Sequence, residues 1–310
     1  MPVELVAFGI VIDDIVFPDG QTAMGVLGGG GPQAAFGMRL WSDAVGLVAG
    51  VGADLPPTAR EWLDRSGIDL EGLSVDRDLP TPRAWQVMEA DGRRTQVWRV
   101  AGPVIGRQLG RSLERLNPTY RKARGYHFGI HPDEPDLAFA RDLAGLGGLV
   151  SIEPFKSAER PADGEGLARL SQAAHIFSPN LEEAVSMVGR EDLTPLKLAQ
   201  AFCAAGGQVI PLRMGPQGSL ALDGRTGLAA HIPAYPARVV DPTGAGNAYC
   251  GGFLAGWAAS GDLVTAGLCG AISASFLMET VGTPLVTETV RSEARRRFDE
   301  LRPQVRIEHV

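Results

Sequence analysis

Asp241-Pro242-Thr243-Gly244-Ala245-Gly246-Asn247, running directly into the apolar stretch Ala248–Trp257, is the part of the chain that decides its fold. Glycines at 244 and 246 let the backbone turn sharply into a helix. The first N–H groups of such a helix have no partner and point outward, so the turn forms a hole for an anion, phosphate above all. Gly251-Gly252 then allow the helix to pack closely against a neighbour. Glycine-rich helix starts are common, and on its own this one is a weak signal for phosphate.

Upstream of this turn, strand and helix alternate. Strands are expected at Tyr126–Ile130, Gly148–Ile152, His175–Phe177 and Gln208–Arg213, with helices at Pro135–Leu146, Glu165–Ala174, Leu181–Val188 and Pro195–Ala205. This rhythm builds a parallel sheet covered by helices. A hairpin over Leu220–Ala234 and two long helices, from Ala245 and from near Asp262, complete the C-terminal part. At the other end, Val3–Ile12 reads as one buried strand that delivers Asp13 and Asp14 at its C-terminal end, where open sheets bind ligands. After the turn-rich Phe17–Gly25, the run Gly28-Gly29-Gly30-Gly31-Pro32 leads into a helix over Gln33–Trp41, with Pro in its first turn. Ala44–Gly52 reads as a strand and Pro57–Ser66 as a helix. Arg83–Val100 reads as a hairpin turning at Asp91-Gly92. Its polar neighbours Arg93, Arg94, Thr95 and Gln96 place it in a small sheet over the main body. The chain has no internal repeat.

A length of 310 residues suits one large α/β layer structure with a small appended lid. The formal charge of −7 argues against a nucleic-acid surface, which needs clustered Lys and Arg. The densest basic run, Arg291 with Arg295, Arg296 and Arg297, lies among Glu and Asp and reads as a solvated helix face. Cys203, Cys250 and Cys269 lack metal or redox spacing and read as small buried hydrophobes. The start of the chain has no basic n-region, and no apolar run reaches the roughly 18 residues that span a bilayer, so a cytoplasmic location is expected.

Two further segments fit a single site with the glycine turn. Asn180-Leu181-Glu182-Glu183 follows a strand and opens a helix; Asn180 and Glu183 read either as a helix cap or as groups facing a nucleotide phosphate and its hydrated magnesium. Arg213-Met214-Gly215-Pro216-Gln217-Gly218 ends the next strand in a tight turn. His127 and His131 flank a strand end and are expected to line the cleft or cap the strand. Glu153 ends a strand on the ligand face.

Together these motifs resemble the ribokinase/PfkB family of sugar and nucleoside kinases over nearly the whole chain. The family's closing motif, Asp-Thr-x-Gly-Ala-Gly-Asp, is similar to Asp241 through Asn247, with its glycines in place and Asn247 at the last acidic position. Its earlier Gly-Gly motif is similar to Gly28 through Ala35, with Gln33 where Asn is usual. The resemblance implies a single domain over residues 1–310. Its fold would be three-layer α/β/α, with a mainly parallel central sheet and a small β lid formed by about 11–27 and 83–100. It implies ATP and Mg2+ as cofactors. Gly244, Ala245 and Gly246 would form the anion hole, and Asp14, Gly28, Gly29 and Gln33 would bind the substrate. Asn180, Glu183, Arg213, Gly215 and Gly218 would bind the nucleotide. Glu183 would hold Mg2+ through water, and Asp241, with carbonyls of Glu279–Thr283, a monovalent cation such as K+. The lid can also pair two subunits, which predicts a homodimer.

The implied activity is ATP-dependent phosphorylation of a hydroxyl on a sugar or nucleoside-like small molecule. In the family the final Asp is the general base, and Asn247 cannot accept a proton, a loss of about 10²–10⁴-fold. Positioning and electrostatics, which dominate phosphoryl transfer, are kept. Asp13, Asp14 and Asp241 are candidate substitute bases. The alternative is a pseudokinase that binds nucleotide or sugar and acts as a sensor or regulator.

Overall fold

The apolar N-terminal segment forms two strands rather than one. In the computed structural model, which describes residues 2–90 and 94–310, β1 (Leu5–Phe8) lies in the main sheet. The chain breaks at Gly9, whose φ is 88°, and resumes as β2 (Val11–Val16) in a second sheet. Asp13 and Asp14 therefore sit inside a strand of the small sheet, not at the end of a core strand.

β3 (Thr22–Gly28) begins within the segment expected to be turn-rich, and is followed by α1 (Gly30–Arg39), β4 (Val45–Gly52) and α2 (Pro57–Arg65). Next come β5 (Asp69–Asp76), β6 (Arg83–Met88), β7 (Arg94–Trp98) and α3 (Gly102–Leu109). The expected turn at Asp91-Gly92 lies outside the described residues. The alternating part runs β8 (Gly125–Ile130), α4 (Leu137–Gly145), β9 (Leu149–Pro154), α5 (Gly164–Gln172) and β10 (Ile176–Phe177). It continues with α6 (Leu181–Val188), α7 (Pro195–Ala204), β11 (Val209–Arg213), β12 (Ser219–Asp223) and β13 (Leu228–Ile232). The chain closes with α8 (Ala245–Ser260), α9 (Leu263–Met278), α10 (Glu288–Leu301) and β14 (Arg306–His309).

The ten-stranded sheet has the order β14-β13-β12-β11-β10-β9-β8-β1-β4-β5, parallel from β11 to β5 and antiparallel at the β12–β14 end. Side chains alternate between its faces, which explains the apolar strands: each must fill two cores. Leu5, Ala7, Leu47 and Ala49 pack against α1, α8 and α9. Val6, Phe8 and Val48 pack on the other face with Phe139 of α4 and Phe202 of α7. This is the three-layer arrangement that the sequence implies. The central pair α8 and α9 is apolar on nearly all sides because it is buried, and a Cβ on Gly252 would lie 2.3 Å from Ser273 Oγ. No helix of the described residues is long and apolar enough to cross a membrane.

The small sheet runs β3-β2-β6-β7, with β2 and β6 parallel and the outer pairs antiparallel. Asp14 holds it together. Its carboxylate has no solvent exposure, accepts the Gly25 N–H at 2.9 Å, and takes a two-point grip from Arg83 at 2.7 and 2.8 Å, with Arg99 as a further partner. Although burial opposes ionisation, these donors outweigh it and hold the Asp14 carboxyl at about 2. Its stabilising effect is thus complete above the unfolded value near 4 and is lost as pH falls towards 2. Asp14→Asn should cost about 2 kcal/mol at pH 7. Thermal unfolding of both proteins at pH 7 and pH 3 checks this, since the gap should narrow at the lower pH.

Candidate active site

Two glycine-opened helix starts face one cleft of about 350 Å3. At the first, Gly244 caps α8 at φ 82°, and a Cβ there would fall 2.0 Å from the Gln33 side chain. At the second, Gly29 precedes α1 at φ 83°, and a Cβ would lie 2.7 Å from the Val11 backbone nitrogen. The positive φ and the crowding together require glycine at both positions. The two starts are joined by a hydrogen bond: Asn247 Nδ2 donates to Gln33 Oε1 at 2.6 Å.

Beneath α8 lies a buried charge cluster. Arg213, at the end of β11, sets Nη1 2.9 Å from Glu153 Oε2 and Nη2 3.2 Å from Glu183 Oε2, and donates to the Ser178 carbonyl at 2.8 Å. A Cβ on Gly246 would meet that guanidinium at 2.0 Å, so the motif's second glycine makes room for a cation at the helix start. Burial would raise the Glu153 carboxyl, but Arg213 and then His127 outweigh it and hold it low. Burial prevails at Glu183, raising it to about 7 despite Arg213. Glu183 and Asn180 form a reciprocal capping box on α6. Glu183 Oε2 accepts the Asn180 N–H at 2.7 Å, while Oε1 makes no hydrogen bond to a described residue. That free oxygen fits an outer-sphere magnesium ligand, acting through water.

Behind Glu153, His127 bonds Ser151 Oγ at 3.0 Å and Glu153 Oε1 at 3.3 Å, and the Cys250 thiol donates to Glu153 Oε2 at 3.4 Å. His127, Glu153 and Cys250 bring ligand-type atoms within 4.8 Å of one another. Arg213 already supplies the positive charge there, and burial and then Glu153 push the Cys250 thiol up, so it stays neutral. His131 instead accepts the Asp133 and Glu134 N–H groups in a turn.

Of the residues expected at the site, Gly29, Gln33, Asn180, Glu183 and Arg213 line the cleft with Gly244, Gly246 and Asn247. Six do not. Asp14 is consumed by its arginines in the small sheet, and the carboxylate in the cleft is its neighbour Asp13, 3% exposed, whose Oδ1 accepts from Gln86 Nε2 at 2.8 Å. Burial pushes Asp13 up to about 6, only partly offset by Gln86 and Arg94. Gly28 lies under Asp13, where a Cβ would overlap the carboxylate at 1.8 Å. Ala245 is already inside α8. Gly215 and Gly218 shape the turn into β12. Asp241, buried, holds its own loop through the Thr243 N–H at 2.9 Å, while Val240 N–H donates to the Met278 carbonyl at 2.7 Å, bringing this loop to the start of the 279–283 segment.

The cleft also contains residues that were not among those expected there. Gln86 and Arg94 come from the small sheet, and Arg111 from the loop after α3. Buried polar atoms without a partner among the described residues cluster here: Gln86 Oε1, Arg213 Nε and Thr243 Oγ1 all belong to cleft-lining residues. Such atoms are costly unless a ligand or water satisfies them. A wider groove of about 840 Å3 between α4 and α5 contains none of the expected residues.

The comparisons agree with this geometry. Residues 4–289 match the family described as pfkB family carbohydrate kinase. A cytidine kinase of Thermococcus kodakarensis is 30% identical over 262 residues, covering 82% of this chain and 88% of its own. A nucleoside kinase of Methanothermobacter thermautotrophicus is 26% identical over 289 residues, covering 89% and 88%. Among solved structures, Arabidopsis thaliana ribokinase complexed with ribose and ATP superposes with a TM-score of 0.72 at 19% identity, over 96% of this chain and 99% of that one, which establishes the shared fold. With its motif glycines opening on one cleft and this match along nearly its whole length, the chain belongs to the pfkB family of carbohydrate kinases.

Proposed function

We propose that the protein transfers the γ-phosphoryl group of ATP to a hydroxyl of a sugar or nucleoside-like small molecule. The observation that carries this reading is the opening, on one cleft, of the α8 start backed by Arg213 and of the Asp13 carboxylate near Gly29. Backbone N–H groups of Gly244, Gly246 and Asn247 donate to phosphate oxygens, and the Arg213 charge beside Gly246 strengthens that seat where negative charge develops. Glu183 Oε1 would hold a water of the Mg2+ that accompanies ATP, an ion that neutralises phosphate charge when bound. Asp241 and the 279–283 carbonyls are the proposed seat of a monovalent cation.

Asp13 is the group that accepts hydrogen bonds from acceptor hydroxyls and orients one of them for attack. As the new oxygen–phosphorus bond forms, the hydroxyl proton must leave, and the Asn247 amide cannot take it. Glu153 and Glu183 are tied to Arg213, so Asp13 is the remaining carboxylate of the cleft for that proton. Its raised pKa suits the task, because a base near the working pH is both ionised and basic.

Asp13 must be ionised to act, so kcat/KM should rise with pH through about 6 and then level off. In Asp13→Asn that limb should vanish and kcat/KM should fall about 10²–10⁴-fold. The same substitution should raise stability. A carboxyl whose folded value lies above its unfolded one penalises the fold once pH exceeds both, here on the order of 2 kcal/mol at pH 7. Opposite signs in kinetics and in melting temperature identify a functional carboxylate; a loss of both would remove Asp13 from this role.

A second reading, a nucleotide- or sugar-binding regulator without turnover, is favoured by the Asn247–Gln33 bond, a neutral amide pair at the family's base position. ADP release from Mg·ATP across a panel of sugars and nucleosides separates the two. Binding of an ATP analogue and a sugar without any ADP formation selects the regulator.

A further inference from the structure

Arg111 is held in the cleft wall by one edge only. Its Nη1 donates to the Gly129 carbonyl at 2.7 Å, and its guanidinium lies 4.5 Å from the centre of the Phe128 ring. Nε and Nη2, the other edge, make no hydrogen bond to a described residue. Neither is among the sealed-off polar atoms without partners, and Arg111 lines the cleft. Elsewhere in the molecule the same edge grips a carboxylate: Arg83 uses Nε and Nη2 on Asp14, Arg190 on Asp192 and Arg225 on Asp223. Arg111 has no carboxylate at ion-pair distance among the described residues. Burial holds it below the ordinary arginine value, and Asp136 offsets this only in part.

A half-buried guanidinium without a counter-ion is costly, and its planar fork matches an oxyanion at two points. ATP phosphates already have a seat at α8 with Arg213. Resting on the kinase reading above, we infer that the acceptor is an anionic sugar, its phosphate ester or carboxylate gripped by the Nε/Nη2 edge of Arg111 while its hydroxyls meet Asp13. A phosphorylated sugar and a sugar acid share this chemistry, and neutral nucleosides and free sugars lack it.

Calorimetric titration, which needs no turnover, tests this with ribose 5-phosphate, D-gluconate, ribose and cytidine against the natural protein, Arg111→Met and Arg111→Lys. A non-hydrolysable ATP analogue serves as the second ligand. The expected result is that ribose 5-phosphate or D-gluconate binds about 10- to 100-fold more tightly than ribose, the size of a charge-assisted hydrogen-bond pair. Whichever of the two anions binds identifies the group. Arg111→Met should erase that advantage, Arg111→Lys should keep part of it, and analogue binding should be unchanged in both. The inference is overturned if ribose or cytidine binds as tightly as the anionic sugars, if no sugar binds, or if Arg111→Met weakens all sugars alike or abolishes analogue binding. Should Arg111→Met not fold, the Arg111→Lys series and the natural protein's own preference decide. Failure of the natural protein to bind the ATP analogue would instead remove the kinase reading, while the sugar titrations still report on Arg111.

Discussion

Asn247→Asp should raise kcat with Mg·ATP and an accepted sugar, by a factor that reaches about 10²–10⁴ only to the extent that Asp13 takes the proton less well than a carboxylate at position 247. Asn247 is the third residue of α8, where a carboxylate is favoured by the unpaired N–H groups and the positive end of the helix. The one contact that must change is the bond to Gln33: Oε1 now accepts from the Asn247 amide, and an aspartate there needs a donor. Rotating the Gln33 amide by half a turn presents its NH2 group at the same place, so the substitution needs no repacking. Stability should stay within about 0.5 kcal/mol. A coupled ADP-release assay with both proteins measures the effect. If the rate is unchanged, Asp13 already serves as the base as well as a carboxylate at position 247 would, and Asp13→Asn in the natural protein should then remove the activity that remains.

Arg213→Met should be the most damaging single substitution in the site. It strands Glu153 and Glu183, both nearly inaccessible to solvent, without their shared cation, and breaking such a buried pair from one side costs about 3–5 kcal/mol. The loss should depend on pH with a definite sign. Without Arg213 both carboxyls are raised above their unfolded values, so the variant should be closest to the natural protein in mild acid and fall further behind as pH rises through 7. Adding Glu153→Gln should recover part of the stability. Urea unfolding at pH 5 and pH 8 gives the comparison. Equal stability of Arg213→Met and the natural protein at pH 8 would mean that the cluster is solvated rather than buried. The same variant should also weaken binding of an ATP analogue, since it removes the cation behind Gly246.

The main sheet, its helices and the two glycine-opened helix starts were legible in the sequence, because each rests on local rules. Apolar runs of strand length between turn residues become buried parallel strands, and glycine is required wherever φ is positive or a neighbour fills the place of a Cβ. Those rules hold at Gly29, Gly244 and Gly246. β5 and β14 escaped notice because edge strands, half-exposed or exposed, carry no apolar period. β1 and β2 ran together because nothing in Val3–Ile12 says that Gly9 takes a positive φ and hands the chain to another sheet.

The site divides along the same line. By itself the sequence located the glycine-opened helix start at Gly244–Asn247, proposed here as the phosphate seat, the helix that Asn180 and Glu183 open, and an Asn at position 247. Only the tertiary structure decided which of two adjacent aspartates enters the cleft. Successive residues of a strand face opposite ways, and a shift of one exchanges their surroundings. Here Arg83 and Arg99, distant in sequence, capture Asp14 and leave Asp13 to the cleft. Arg213 and Arg111 likewise acquire their meaning from what lies across space: two buried carboxylates for one, a single carbonyl and an open edge for the other. A charge is defined by its partners, and partners brought together by long-range packing leave no trace in the local order of residues.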